Sequence, residues 1–230
     1  MVIDSHTDLV VFDVEIANEV EAVGGWDATD KMGIGVAVLW ESLTNRFRFY
    51  GPDDREALKE RIEAADVVSG FNIVSFDLPV VYGVSRPNFA LSDILGRSRF
   101  VPIDLFRIAR AALGKGFTGP CGAGLGLQDI ASRTLGAKAA GGKTAHGSEA
   151  PGMFQRGEIM RLCSYCLDDV TIERDLLLFA IDHGYLITGQ GLAYVADGIR
   201  VDPLIDRDAC DVALADCGAM FARGVARRTR

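Results

Sequence analysis

A short apolar run near the N-terminus, residues 10–16, carries two carboxylates two positions apart, Asp13 and Glu15. The run consists otherwise of Val, Phe and Ile, residue types that favour a β-strand. Side chains alternate between the two faces of a strand. We therefore expect Asp13 and Glu15 to point to one face and the neighbouring apolar side chains to point to the other.

Two such acids constrain what surrounds the strand. On adjacent positions of one face, about 7 Å apart, they repel each other, and burial penalises both charges. A bound divalent cation would relieve both costs. The alternative is a strand end at which both acids face solvent. These residues alone leave the two interpretations open.

The composition describes an ordinary globular chain of 230 residues, either one large domain or a domain with a small appendage. A formal net charge of −8 argues against a protein that coats nucleic acid by charge alone. No apolar run approaches the roughly 20 residues of a membrane span, and residues 1–8 do not resemble a signal peptide. Together with an odd number of cysteines, five, this predicts a cytoplasmic protein without a disulfide framework or a membrane partner.

The basic residues are unevenly distributed. Residues 97–143 contain eight of them against two acidic residues: Arg97, Arg99, Arg107, Arg110, Lys115, Arg133, Lys138 and Lys143. Such a segment is either a solvated surface or a patch that meets a polyanion.

The order of secondary structure follows from periodicity and turn residues. Strands are predicted after the first one at residues 33–40, 45–50, 66–71 and 100–103. Helices are predicted to end near Ala65, to begin at Phe76-Asp77, and to cover residues 104–113, 125–135 and 155–182. Residues 137–152 are predicted to be a mobile loop, and Tyr185–Ile187 is expected to form a hairpin with Leu192–Val201.

Three consecutive strands followed by alternating helices and strands predict an α/β protein with a mixed central sheet flanked by helices. The first strand is expected at the centre. Residues 1–183 form the predicted domain, and residues 184–230, a hairpin and a basic tail, are expected to extend it.

Three further residues are candidates for chemistry. Asp77 lies in the first turn of its helix, where the helix dipole alone can stabilise a carboxylate. Tyr165 and Asp169 lie four residues apart on the longest helix, hence on one face, whereas Asp168 is expected to face solvent.

Taken together, the motifs Asp13-x-Glu15, Gly70-Phe71-Asn72 with Phe76-Asp77, and Tyr165-x-x-x-Asp169 resemble the DEDD superfamily of DnaQ-like 3′–5′ exonucleases. The resemblance covers roughly residues 8–182 and implies an RNase H-like fold. Tyr165 places the chain with the DEDDy branch, which includes the proofreading-type exonuclease domains of family B polymerases. The DEDDh branch would have a histidine where this chain has Ser164.

The resemblance also implies roles for these residues. Asp13, Glu15 and Asp169 would hold one divalent ion, Mg²⁺ or Mn²⁺, and Asp13 and Asp77 a second. Tyr165 would orient the attacking water. Phe71 and Asn72 are candidates to stack on and hold the terminal nucleotide, although a phenylalanine at a strand end can equally be a core residue.

The implied substrate is a nucleic acid, DNA or RNA, with a free and single-stranded 3′ end. A structure-specific endonuclease on the same fold and a non-catalytic nucleic-acid-binding domain are the alternatives. The acidic balance suggests a short substrate footprint or a protein partner that supplies affinity. Cys163 and Cys166 have metal-site spacing, but without a second such pair they are interpreted as core residues.

Overall fold

The computed structural model of the chain describes residues 2–3, 5–96, 98–111, 124–137, 147–195 and 200–201. The strands in this part of the chain are β1 (Val2–Ile3), β2 (Leu9–Ile16), β3 (Ile34–Glu41), β4 (Arg46–Tyr50), β5 (Val67–Gly70), β6 (Val101–Asp104), β7 (Tyr185–Thr188), β8 (Gly191–Tyr194) and β9 (Arg200–Val201). The helices are α1 (Val20–Val23), α2 (Thr29–Met32), α3 (Arg55–Ala64), α4 (Asp77–Tyr82), α5 (Leu91–Leu95), α6 (Leu105–Ala111), α7 (Leu127–Thr134), α8 (Ala150–Gln155) and α9 (Ile159–His183). Short 3₁₀ turns cover Pro52–Asp54, Arg86–Asn88 and Gly147–Glu149.

Five of the strands form a mixed sheet in the order β4-β3-β2-β5-β6. β2 pairs antiparallel with β3 and parallel with β5, and β5 pairs parallel with β6. Helices cover both faces. The predicted α/β architecture with a mixed, helix-flanked sheet is therefore confirmed, and β2 is the central strand as expected.

The alternation of β2 divides the core into two layers. Leu9 and Val11 belong to the layer that includes α7, α8 and α9. Val10, Phe12 and Val14 belong to the layer that includes α3 and α4. Asp13 and Glu15 follow Leu9 and Val11 in this alternation, and their carboxylates lie near Asp169 of α9. The sheet period therefore fixes the direction in which these two acids point.

The strand pairing becomes irregular where β2 ends. The register with β3 shifts between Glu15 and Ile16, and Gly35 occupies the shift. A Cβ atom on Gly35 would lie 3.1 Å from the carbonyl oxygen of Glu15 and 3.2 Å from that of Ile16. A bulge of this kind, which only a residue without a side chain accommodates easily, lies directly beside Glu15.

The structure differs from the predicted elements in four places. The long helix predicted at 155–182 is present as α9, but it begins four residues later, at Ile159, after Gly157 with its positive φ of 74°. Part of the loop predicted at 137–152 is α8, and residues 138–146 lie outside the described residues. The two short helices before β3, α1 and α2, were not predicted. The hairpin of β7 and β8 is confirmed, but its second strand ends at Tyr194, and Arg200–Val201 pairs with β1 instead.

The hairpin of β7 and β8 is attached to the rest of the chain through α7. The hydroxyl of Thr134 accepts a hydrogen bond from the backbone N–H of Ile187 at 3.0 Å, and Gly189 donates to the carbonyl of Gly124 at 3.0 Å.

Other sequence predictions fall outside the residues that the structure describes. These are the basic C-terminal tail and four basic residues, Arg97, Lys115, Lys138 and Lys143. No helix in the described ranges is both long and apolar enough to cross a bilayer.

An ionic network closes the end of the sheet at which β2 begins. The Arg61 guanidinium contacts Glu41 at 2.6 Å and Asp8 at 2.6 Å, and Arg48 contacts Glu41 at 2.8 Å. Burial alone would raise the pKa of Glu41. Hydrogen bonds from Arg61, Arg48 and Thr44 outweigh burial and lower this pKa below its ordinary value.

Replacing Arg61 with alanine is expected to destabilise the fold by about 3 kcal/mol, because the buried Glu41 then loses its principal partner. A carboxyl with a lowered folded-state pKa contributes stability above its unfolded pKa and loses that contribution as the pH falls through the folded value. The difference in unfolding free energy between Arg61→Ala and the wild type should therefore shrink on acidification. Urea unfolding at pH 7 and pH 3 measures it. The exposed Arg46→Ala on β4 is the control, and an equal loss in both variants would contradict the assignment.

Candidate metal centre

The sheet and α9 bring three carboxylates together. Oxygen atoms of Asp13, Glu15 and Asp169 lie within 4.8 Å of one another. Glu15 and Asp169 are buried, and Asp13 is partly buried. Residues more than 150 positions apart thus meet because α9 packs across the face of β2 to which Asp13 and Glu15 point. The solvent-facing alternative for these two acids is wrong.

α9 also supplies the tyrosine. Tyr165 lies one turn before Asp169, as its four-residue spacing predicts, and it is buried, whereas Asp168 is exposed. Burial, followed by the negative charges of Asp169, Glu15 and Asp13, raises the pKa of Tyr165 far above its ordinary value. The hydroxyl therefore stays protonated at the carboxylate cluster and can donate a hydrogen bond there.

Asp77 contacts β2 just beyond its pairing with β5. The pairing of β2 with β5 ends at Val11, and Asp77 Oδ1 accepts a hydrogen bond from the backbone N–H of Val14 at 3.0 Å. Asp77 is 2% exposed. Burial, followed by the negative charge of Asp13, raises its pKa well above the ordinary value. Asp77 does not belong to the group whose oxygens lie within 4.8 Å, but it is close enough to interact with Asp13 electrostatically.

Two side chains beside the cluster were not assigned a role from the sequence. Gln128 of α7 donates a hydrogen bond from Nε2 to Asp169 Oδ1 at 3.4 Å. Cys166 lies 3.4 Å from Asp13 Oδ2 through its sulfur, and burial, followed by the charge of Asp13, raises the pKa of its thiol. Both groups are therefore donors that orient a carboxylate. The sequence signal was weak: Cys166 lies within the motif Tyr165-x-x-x-Asp169, and Gln128 lies on the helix predicted at residues 125–135.

Cys166 is a free, buried thiol, which agrees with its interpretation as a core residue. Cys163, also buried, is disulfide-bonded. The expectation of reduced cysteines therefore does not hold for Cys163.

A fifth carboxylate, Glu173, was also missed. It lies one turn beyond Asp169 on α9 and is 1% exposed. Burial, followed by the charges of Asp13, Asp77 and Asp169, raises its pKa well above the ordinary value. The spacing of Tyr165, Asp169 and Glu173, four residues at each step, is the signal that could have revealed it.

Phe71 and Asn72 lie at the end of β5, in the connection to α4. The Phe71 ring is half-buried and packs against Phe106, with ring centroids 5.4 Å apart. Asn72 has a positive φ of 67°, a conformation that asparagine tolerates better than most residues. Its backbone N–H donates to Asp104 Oδ1 at 3.0 Å. Asn72 is partly exposed in the connection that leads to α4.

The donor set fits a hard divalent cation. All candidate ligands are carboxylate oxygens, which Mg²⁺ and Mn²⁺ prefer over nitrogen or sulfur ligands. Asp13, Glu15 and Asp169 carry like charges, and their oxygens lie within 4.8 Å of one another, so that they repel each other. A bound cation would relieve this repulsion, and Asp77 could contribute to its binding after losing a proton.

Comparison with known proteins adds no assignment. No protein-family profile matches the chain, and no curated protein shows significant similarity to it.

Proposed function

We propose that the chain is a metal-dependent 3′–5′ exonuclease, which hydrolyses phosphodiester bonds at the 3′ ends of nucleic acids. The observation that carries this proposal is the convergence of Asp13, Glu15 and Asp169 within 4.8 Å, with Asp77 and the Tyr165 hydroxyl at the same cluster. Four carboxylates and one tyrosine are the residues that the DEDDy resemblance requires. The strand order, in which an antiparallel β3 separates β4 from the central β2, is compatible with the RNase H-like fold that the proposal includes.

Asp13, Glu15 and Asp169 would hold one Mg²⁺ or Mn²⁺ ion, and Asp13 with Asp77 would hold a second. When bound, a pair of such ions activates the attacking water and neutralises charge on the leaving oxygen. The protein's own part is to fix the ligands. Gln128 and Cys166 orient the carboxylates of Asp169 and Asp13 through hydrogen bonds.

Tyr165 is assigned to the attacking water. Burial and the neighbouring carboxylates keep its hydroxyl protonated in the metal-free protein, and we assign this hydroxyl to orienting the water by hydrogen bonding. Asn72, which is partly exposed, would bind the terminal nucleotide, and Phe71 would support its base or sugar. Arg107 is exposed, and its Nε lies 3.8 Å from Asp104 Oδ2. Arg107 would contact a phosphate near the 3′ end of the substrate.

A set of labelled substrates tests the function. Linear single-stranded DNA and RNA labelled at the 3′ end, the same molecules labelled at the 5′ end, and a circular single strand are incubated with Mg²⁺ or Mn²⁺. The proposal predicts that the 3′-labelled strand loses its label first, as a mononucleotide, and that the 5′-labelled strand shortens stepwise. The circular strand should stay intact. Cleavage of the circle would instead identify an endonuclease. Binding without turnover under all conditions would identify a non-catalytic domain.

A further inference from the structure

Glu173 binds the connection between β5 and α4. Its Oε1 accepts a hydrogen bond from the backbone N–H of Phe71 at 3.2 Å. Its Oε2 is buried and has no hydrogen-bond partner. Burying a carboxyl that makes a single hydrogen bond to a backbone amide destabilises the fold, because its second oxygen has no partner. A functional role for Glu173 would account for this cost.

The backbone at Gly70, beside Glu173, is tightly packed. A Cβ atom on Gly70 would lie 2.5 Å from the carbonyl oxygen of Phe12, 2.5 Å from Cγ2 of Ile73 and 3.3 Å from Glu173 Oε2. The end of β5 is therefore closely packed between β2 and α9. Glu173 consequently contacts the chain at the point where the strand turns towards Asn72.

A second buried carboxylate, on β6, binds backbone amides of the same connection. Asp104, at the end of β6, accepts the N–H of Asn72 at 3.0 Å through Oδ1 and the N–H of Val74 at 3.2 Å through Oδ2. Three backbone amides in four residues are thus bound by carboxylates from outside the segment. This support maintains Asn72 in its left-handed conformation, which is costly for a residue other than glycine.

We propose that Glu173 is a positioning residue that, by accepting the Phe71 N–H, fixes the backbone presenting Asn72 to the terminal nucleotide. This inference rests on the proposed exonuclease function. It assigns Glu173 to substrate binding and not to metal binding, although its side chain lies near Asp13, Asp77 and Asp169. The distinction rests on the hydrogen bond that Oε1 accepts from the backbone N–H of Phe71.

A matched pair of variants tests the proposal. Glu173→Gln keeps the size and the acceptor oxygen, whereas Glu173→Met keeps the size and removes the acceptor. The KM and kcat for a 3′-labelled oligonucleotide are measured by initial rates, and the Mn²⁺ affinity is measured by titration calorimetry. We expect the Gln variant to remain within about twofold of wild type. We expect the Met variant to show a KM raised about tenfold with a kcat changed less than about threefold, since one buried backbone amide loses its partner. Mn²⁺ affinity should be unchanged in both.

Two results would overturn the proposal. One is a wild-type KM in the Met variant, and the other is a weakened Mn²⁺ affinity in the Gln variant, which would make Glu173 a metal ligand. Circular dichroism and the melting temperature establish that each variant is folded, and Glu173→Ala, which removes the same acceptor, replaces the Met variant if that variant does not fold. A wild-type protein inactive on every substrate would instead refute the proposed exonuclease function, so the two failures are distinguishable.

Discussion

Replacing either Asp13 or Asp169 with asparagine is expected to lower the rate of 3′ nucleotide release by about a thousandfold or more, which corresponds to about 4 kcal/mol of lost transition-state stabilisation. Each substitution removes one negative charge and one ligand oxygen from the three carboxylates that lie within 4.8 Å of one another. The measurement is single-turnover hydrolysis of a 3′-labelled oligonucleotide with Mg²⁺ or Mn²⁺.

The chain contains a matched control for these variants. Asp168 is the immediate neighbour of Asp169 on α9 but is exposed, so Asp168→Asn makes the same chemical change outside the cluster. It should retain activity within about twofold of wild type. Metal-free Asp13→Asn and Asp169→Asn should be at least as stable as the metal-free wild type, because the substitution relieves repulsion between like charges. Full activity in both cluster variants would refute the site.

Divalent ions are expected to stabilise the wild-type protein strongly. A ligand present at a hundredfold excess over its dissociation constant adds about 2.7 kcal/mol to the unfolding free energy. For a chain of this size that corresponds to a rise in melting temperature of roughly 5–10 °C. We expect this rise with Mn²⁺, its reversal by a chelator, and a much smaller rise in Asp169→Asn.

The same stabilisation should depend on pH. The pKa of Asp77 is raised by burial and by Asp13, so this carboxyl holds a proton in the metal-free protein that a cation must displace. The gain in melting temperature from Mn²⁺ should therefore be larger at pH 8 than at pH 5.5. Binding should also release protons, as calorimetry in buffers of different ionisation enthalpy would show.

The Asp169→Asn variant decides where the ion binds. A rise in melting temperature with Mn²⁺ equal to that of the wild type would mean that the ion binds elsewhere.

The features predicted best from the sequence are those that depend on the short side-chain repeat of a strand or a helix. The two-residue alternation of a strand was sufficient to place Asp13 and Glu15 on one face, and the four-residue spacing of a helix was sufficient to place Tyr165 with Asp169. The central position of β2 and the mixed sheet followed from the order of the elements. These features are local or follow from connectivity, and the structure shows them as expected.

The residues that were missed depend on long-range packing. The hydrogen bond between Glu173 and Phe71 joins positions 102 residues apart, and that between Gln128 and Asp169 joins positions 41 apart. No local pattern indicates which buried side chain meets which backbone amide after α9 packs on the sheet. The start of α9 was predicted four residues too early for a different reason: the positive φ of one glycine, Gly157, decides this boundary.

The most direct test of the account is a crystal structure of the protein soaked with Mn²⁺ and a nucleoside 5′-monophosphate, with anomalous scattering used to locate the metal. The account predicts two Mn²⁺ ions about 4 Å apart, the first contacted by Asp13, Glu15 and Asp169 and the second by Asp13 and Asp77. Absence of anomalous density among these carboxylates at saturating Mn²⁺ would contradict it.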